Sequence, residues 1–241
     1  EVRTSLTDIN KPVSFRTHSD HAPVDVLSGV SHELRTPLTA ILGLVSLLNE
    51  TALDDEQTEL CQSIRISGET MLNLVNDLLD LYSLQAGKAQ TVREPFDLQA
   101  CVEEAFALVA PTALKKNLDM GCFLDPAVPG RVCGDPTRLR QVLINLLANA
   151  VKFTTHGTVE LWVTADQTNA DDVWIDFIVK DSGRGIPADQ IERLFEPFAR
   201  LPDVGESITG SGLGLPISKA WVEEMQGRIT VESRPKHGST L

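Results

Sequence analysis

The chain has 241 residues, a formal net charge of −13 and an apolar fraction of 42%, the make-up of a globular protein with a real core and room for one large domain or two modest ones. Its 21 lysines and arginines are scattered rather than striped, which argues against nucleic acid as a partner, because phosphate backbones are bound by clustered cations. No run approaches the roughly eighteen apolar residues of a membrane span and no charged-then-apolar leader opens the sequence, so no membrane contact is expected from this stretch.

In chain order, residues 1–25 are polar and broken by Pro12 and Pro23, and read as a linker or poorly ordered arm. A helical hairpin is expected over 26–92. Its first helix, from about Val24 to Asn49, carries Leu27, Val30, Leu34, Leu38, Ile41, Val45 and Leu48 at spacings of three and four, one buried stripe. His32 falls opposite that stripe, with Glu33 beside it and Thr36 one turn on. Pro37 removes an amide donor and crowds the carbonyl of Glu33, so a bend is expected just after the histidine.

The turn is Asn49 to Asp55. The second helix repeats Leu60, Ser67, Leu74 and Leu81 at sevenfold spacing, with Ile64, Met71 and Leu78 between them. Two such helices carry more apolar surface than they can cover on each other, so a homodimeric four-helix bundle is expected. The alternative is that the stripe packs onto the downstream domain. Gly87 and Lys88 end the helix in the manner helix C-termini prefer.

From Arg93 to Leu241 the character changes to an α+β domain. A helix is expected from about Leu98 to Lys116, then short strands at Leu118–Leu124 and Arg131–Cys133. Asp135-Pro136 starts another helix with a capping acid and proline at the first position, reaching Phe153. Alternating strands follow at Thr158–Ala165 and Val173–Val179, joined by the turn 169–172. A short helix at Asp189–Phe195, a helix at Leu213–Met225 and a strand at Arg228–Ser233 complete a helix layer on a mixed sheet. The chain stops at Leu241 in what reads as a further strand, so a longer parent chain is expected. Cys61, Cys101, Cys122 and Cys133 form no C-x-x-C pair and read as small buried thiols of a reducing cytosol.

In the helix from Asp135, the residues Arg138, Gln141, Asn145, Asn149 and Lys152 make one polar stripe beside an apolar face. Buried amides without partners cost free energy, and a bound ligand would supply those partners.

Four segments in order carry a resemblance. Ser31-His32-Glu33-Leu34-Arg35-Thr36-Pro37-Leu38 resembles the phosphoacceptor box of the sensor histidine kinases of two-component systems, and Asn145 to Phe153 resembles the N box of their GHKL (Bergerat) ATPase domain. Lys180-Asp181-Ser182-Gly183-Arg184-Gly185 resembles the first glycine box. Leu194-Phe195-Glu196-Pro197-Phe198 resembles the F box, with Ala199 to Thr209 as a lid before Gly210-Ser211-Gly212-Leu213-Gly214-Leu215. Glycines at a helix start present amides and a positive dipole end to phosphates.

The resemblance implies a dimeric helical bundle followed by an α/β sandwich with helices on one face of a mixed sheet. It implies ATP and Mg²⁺ as cofactors, with Asn145 on magnesium, Asn149 at the phosphates, Lys152 neutralising them, Phe153 closing the box and Asp181 accepting from the adenine amino group. Gly183, Gly185, Gly210, Gly212, Leu213 and Gly214 complete the nucleotide loops. His32 would take the γ-phosphoryl group, assisted by Glu33, and pass it to an aspartate of a response-regulator receiver domain. Glu33 and Thr36 match the pattern by which members of the family hydrolyse the phosphorylated receiver. The expected location is cytoplasmic, as such or as the inner portion of a membrane-anchored receptor. Two other classes are a dimeric scaffold regulating another histidine kinase and a general GHKL ATPase, which has no reason to carry the acceptor box. Pro216 and Gly29 depart from the family pattern without touching a residue given a chemical role.

Overall fold

The computed structural model describes residues 22–87, 89, 91–167, 173–199 and 211–241, with the backbone alone for 22–32 and 167. Residues 1–21 of the expected arm, the turn 169–172, the lid beyond Ala199, Gly210, Lys88 and the imidazole of His32 therefore lie outside the described residues, and residues 22–25 of the arm belong to the first helix.

Helix α1 spans Ala22–Leu48 and continues through Pro37. Helix α2 spans Asp55–Gln85. It starts on a capping box in which the Asp54 carboxylate accepts from the Gln57 amide at 2.8 Å and the Gln57 side chain accepts from the Asp54 amide at 3.1 Å. Such a box satisfies two donors that a helix start otherwise leaves to water, and contributes about 1 kcal/mol. The two helices pack on each other with Leu38, Val45, Cys61 and Val75 buried between them. Much of the expected stripe stays outside: Leu34, Ile41, Leu48, Leu60, Ile64 and Met71 are all exposed.

Beyond Gly87 come strand β1 (Glu94–Asp97), helix α3 (Leu98–Lys115), strands β2 (Asp119–Leu124) and β3 (Arg131–Gly134), and helix α4 (Pro136–Phe153). Strands β4 (Thr158–Gln167) and β5 (Val173–Asp181) follow. A single turn α5 (Ala188–Ile191) with a 3-10 turn (Glu192–Phe195), helix α6 (Gly214–Glu224) and strands β6 (Glu232–Ser233) and β7 (Ser239–Thr240) end the fold. The main sheet has the order β2-β4-β5-β7-β6, parallel only between β2 and β4. Alternation does the sorting, as period-two strands require. Val159, Leu161 and Val163 face the helices fully buried, while Trp162 between them is exposed.

Three expectations change. Glu94–Asp97, for which no element was expected, is a strand paired antiparallel with β3. The strand expected over Arg228–Ser233 shrinks to its last two residues. Of the four free cysteines only Cys61 and Cys101 are buried, and Cys133 is exposed, on the outward side of the alternation along Arg131–Gly134. Among the described residues no helix is long and apolar enough to cross a membrane.

The core lies between the main sheet and α3, α4 and α6. Leu143, Leu147, Val151 and Trp221 are its interior, and Leu81 of α2 belongs to it. The Lys116 ammonium donates to the carbonyls of Val151 and Lys152 at 2.8 and 3.0 Å, a cation on the negative end of α4 that fixes where Lys152 and Phe153 emerge.

Candidate functional site

Helix α4 sets the site. Its buried face, Val142, Leu143, Leu146, Leu147, Ala150 and Val151, sits on the sheet, and the helical period turns Gln141, Asn145, Asn149 and Lys152 to a cavity of about 800 Å³. Asn145 Nδ2 donates to Ser218 Oγ of α6 at 2.6 Å, and Asn149 Nδ2 reaches Asn145 Oδ1 at 3.4 Å. The expectation that a ligand must satisfy these amides is corrected in part: α6 supplies one partner. It can because the start of α6 crosses α4 so closely that a methyl group on Gly214 would strike the Asn145 amide.

Arg138, the first member of the polar stripe, is not among the residues lining the cavity. Its Nη1 donates to both Asp80 oxygens of α2 at 3.2 Å, and its guanidinium carbon lies 3.8 Å from the centroid of a ring of Trp221.

The far end of the cavity belongs to Asp181, the last residue of β5, 8% exposed. Burial raises its pKa, opposed by donors from the Gly183 amide and from the amide and hydroxyl of Ser239. The Gly183 amide approaches its Oδ1 at 2.8 Å. Gly183 thus serves the aspartate rather than the cavity wall, whereas Gly185, at φ +66, lines it. Phe153 and Lys152 line the middle.

At the opposite end Gly212 and Gly214 line the cavity. Gly212 has φ +70, and a methyl there would meet the backbone of Phe198 and Ala199. Helix α6 begins without a side-chain cap, leaving its first amides for an acceptor in the cavity. Leu213 is 1% exposed and its side chain belongs to the core, so only its backbone can serve the site.

Glu33 and Thr36 are exposed on α1 and neither lines the cavity. Residues that pattern reading passed over also meet here: Ser218, Ser239 and, from the bundle, Asn73, Asn76 and Asp77. The three on α2 had a signal, a polar row among apolar heptads. The two serines had none, since a single hydroxyl records nothing of its distant partner.

Comparison with known proteins agrees with this division. Residues 24–87 match the His Kinase A (phospho-acceptor) domain family and residues 134–241 the histidine kinase-, DNA gyrase B- and HSP90-like ATPase family. Hybrid signal transduction histidine kinase B of Dictyostelium discoideum is 38% identical over 99% of this chain and 12% of its own length. Sensory/regulatory protein RpfC of Xanthomonas campestris pv. campestris is 39% identical over 98% of this chain and 33% of its own. The chain thus spans a third or less of these relatives. The crystal structure of full-length ShkA in complex with AMPPNP superposes with a TM-score of 0.74 at 32% identity, covering 90% of this chain and 44% of that one.

Proposed function

This chain belongs to the sensor histidine kinases of two-component systems, and on that premise we propose that its cavity takes ATP and that His32 accepts the γ-phosphoryl group. The observation that carries the reading is the convergence of Asn145, Asn149, Lys152, Asp181, Gly212 and Gly214 on one cavity in a chain whose α1 bears the acceptor box. Asp181 accepts from the adenine amino group, and the uncapped start of α6 with Lys152 receives the phosphates.

The residues present fit a magnesium ion. Asn145 Oδ1 is a hard oxygen held at the cavity wall by the Ser218 bond to its own amide nitrogen. Among the described residues no three His, Cys, Asp or Glu side chains gather into a cage, which suits a cation that takes most of its ligands from phosphate and water. When bound, the ion supplies charge neutralisation at the phosphates.

In the transfer, one ring nitrogen of neutral His32 forms a bond to the γ-phosphorus while the bond to the bridging oxygen breaks, and ADP leaves with that electron pair. Glu33 accepts a hydrogen bond from the other ring nitrogen and stabilises the charge that develops. The phosphoryl group then passes to an aspartate of a receiver domain, and Thr36 with Glu33 orients water for the reverse control, hydrolysis of the phosphorylated receiver. Two copies pair through the exposed apolar faces of α1 and α2, on the cytoplasmic side. The turn beyond α2, where Gly87 has φ +62, is the hinge between acceptor and nucleotide domains. The scaffold reading is not favoured, since the relatives reported above are named as kinases or sensory proteins.

Incubation with γ-labelled ATP tests this. Acid-labile label on the wild type, none on His32→Gln and none on Asp181→Ala supports it. Free phosphate without protein label would overturn it in favour of a plain ATPase, and neither product would favour the scaffold. A mixed dimer of the two variants then reports whether transfer runs within or between protomers.

A further inference from the structure

Pro216, the residue that departs from the family pattern, has no part in the proposed reaction, but its setting gives it one. It is buried in the first turn of α6 and lines the cavity between Gly214 and Ser218, which line it too. A proline there removes no helical hydrogen bond, because the first four amides of a helix have no partner inside it, and its ring fixes the backbone. The turn is therefore stiff. Gly214 and Ser218, four residues apart, share one face of it.

The carboxamide of Asn145 lies across that face. Its Nδ2 donates to Ser218 Oγ at 2.6 Å, and Ser218 is 2% exposed, so solvent does not stand in for that oxygen. A methyl group on Gly214 would strike Asn145 Oδ1, so the oxygen end rests against bare backbone. Asn149 Nδ2 reaches the same Oδ1 at 3.4 Å. The two ends of a carboxamide have nearly one shape and differ in what they bond. Half a turn of Asn145 would set its Nδ2 against Asn149 Nδ2, donor against donor, and would withdraw the only end that can bind a hard cation. The first turn of α6 thus selects the end that the cavity meets.

The same turn gives the cation weight. Among residues 213–217, the Leu213 amide donates to Ser211 Oγ at 3.1 Å and the Ile217 amide to the Leu213 carbonyl at 3.0 Å, while Pro216 has no amide hydrogen. At most the amides of Gly214 and Leu215 are left for phosphate oxygens, so neutralisation rests on the cation and on Lys152.

We propose that Ser218, carried on a turn stiffened by Pro216, is the positioning residue that keeps the Asn145 amide oxygen on the divalent cation, and so sets how strongly that cation tightens nucleotide binding. The inference rests on the reading of Asn145 as the metal ligand. Ser218→Ala removes the acceptor and leaves Nδ2 without a partner, which favours turning the amide. Partners of this kind change metal affinity by about 10–100-fold when they are removed.

Isothermal titration calorimetry of the 241-residue chain with ADP, in EDTA and in excess Mg²⁺, gives the factor by which the metal strengthens binding. Ser218→Ala should keep the affinity in EDTA within about twofold and lose about tenfold of the strengthening. Ser218→Thr, which keeps the oxygen, should retain it. In Asn145→Ala the strengthening is gone, and adding Ser218→Ala should change nothing further. Electron paramagnetic resonance of Mn²⁺ with the ADP-loaded chain should show the same order of metal affinity without any turnover. Wild-type strengthening in Ser218→Ala, equal losses in EDTA and in Mg²⁺, or a Thr variant no better than Ala would each overturn the proposal. ADP binding by the wild type with no strengthening by metal would sink the metal reading and this inference with it. No step of the titration involves His32, so absent labelling of His32 would count against the kinase reading alone.

Discussion

Asp181 shows what a buried carboxylate costs and what it is kept for. Burial pushes its pKa up more than the donors from Gly183 and Ser239 pull it down, so the folded protein holds that proton more tightly than the unfolded chain does. The ionised group thus detracts from stability above the raised pKa, and the deficit disappears as pH falls through that pKa and below the unfolded value of 3.8. Asp181→Asn should therefore melt no lower than the wild type at neutral pH, with any gain fading on acidification, while its affinity for an ATP analogue falls by about tenfold or more. Melting curves across a pH series and a binding titration check both halves, and a lowered melting point at neutral pH would contradict the electrostatic account. Gly185 makes the opposite case. Its φ of +66 and the nearness of the Arg234 carbonyl leave no room for a methyl group, so Gly185→Ala should lose about 1–3 kcal/mol in urea unfolding and weaken nucleotide binding with it. Both residues were legible from a short glycine-rich motif after a strand. The Ser239 hydroxyl was not, because it arrives on β7 from far along the chain.

At the scale of elements, the hairpin divides its apolar surface in a way that periodicity alone left open. The sevenfold row on α2 was read as a dimer seam, with packing onto the downstream domain as the alternative, and the last member of the row takes the second course. Leu81 is buried in the core of the nucleotide domain, whereas Leu60, Ile64, Met71 and Leu74 remain exposed beside Ile41, Leu44 and Leu47 of α1. A patch of that size on a helical pair calls for a covering surface. Ile64→Lys together with Leu47→Lys should shift the chain from dimer to monomer in sedimentation equilibrium while the nucleotide domain melts unchanged. A dimer that persists would show that the pairing surface lies elsewhere.

Over the whole molecule, the two domains are joined by more than a linker. Leu81 enters the core, Asp80 reaches Arg138, and the Val92 amide is held at 2.9 Å by the Asp135 carboxylate that also caps α4. The bundle therefore helps to stabilise the nucleotide domain. Leu81→Ala should destabilise that domain by about 2–5 kcal/mol, the range for a buried leucine, whereas Leu74→Ala, 37% exposed, should change it little. Domain-resolved hydrogen exchange or chemical denaturation separates the two. Equal effects would mean that the helices act only through the dimer.

What the sequence by itself determined is what short range can encode: the helix and strand periods, the Asp135 cap, the order of the two domains and the side of α4 that carries the amides. Each depends on residues within a few positions of one another, so a pattern records it. The tertiary structure alone decided the β1–β3 pairing, the Ser218 bond to Asn145 across 73 residues, the Asp80 grip on Arg138 across 58 and the Asp77 bond to Ser211 across 134. Apart from the strand pairing, these are single polar contacts between segments far apart in the chain. No local periodicity prepares them, and only the packing of α2, α4 and α6 against one another brings their atoms within reach.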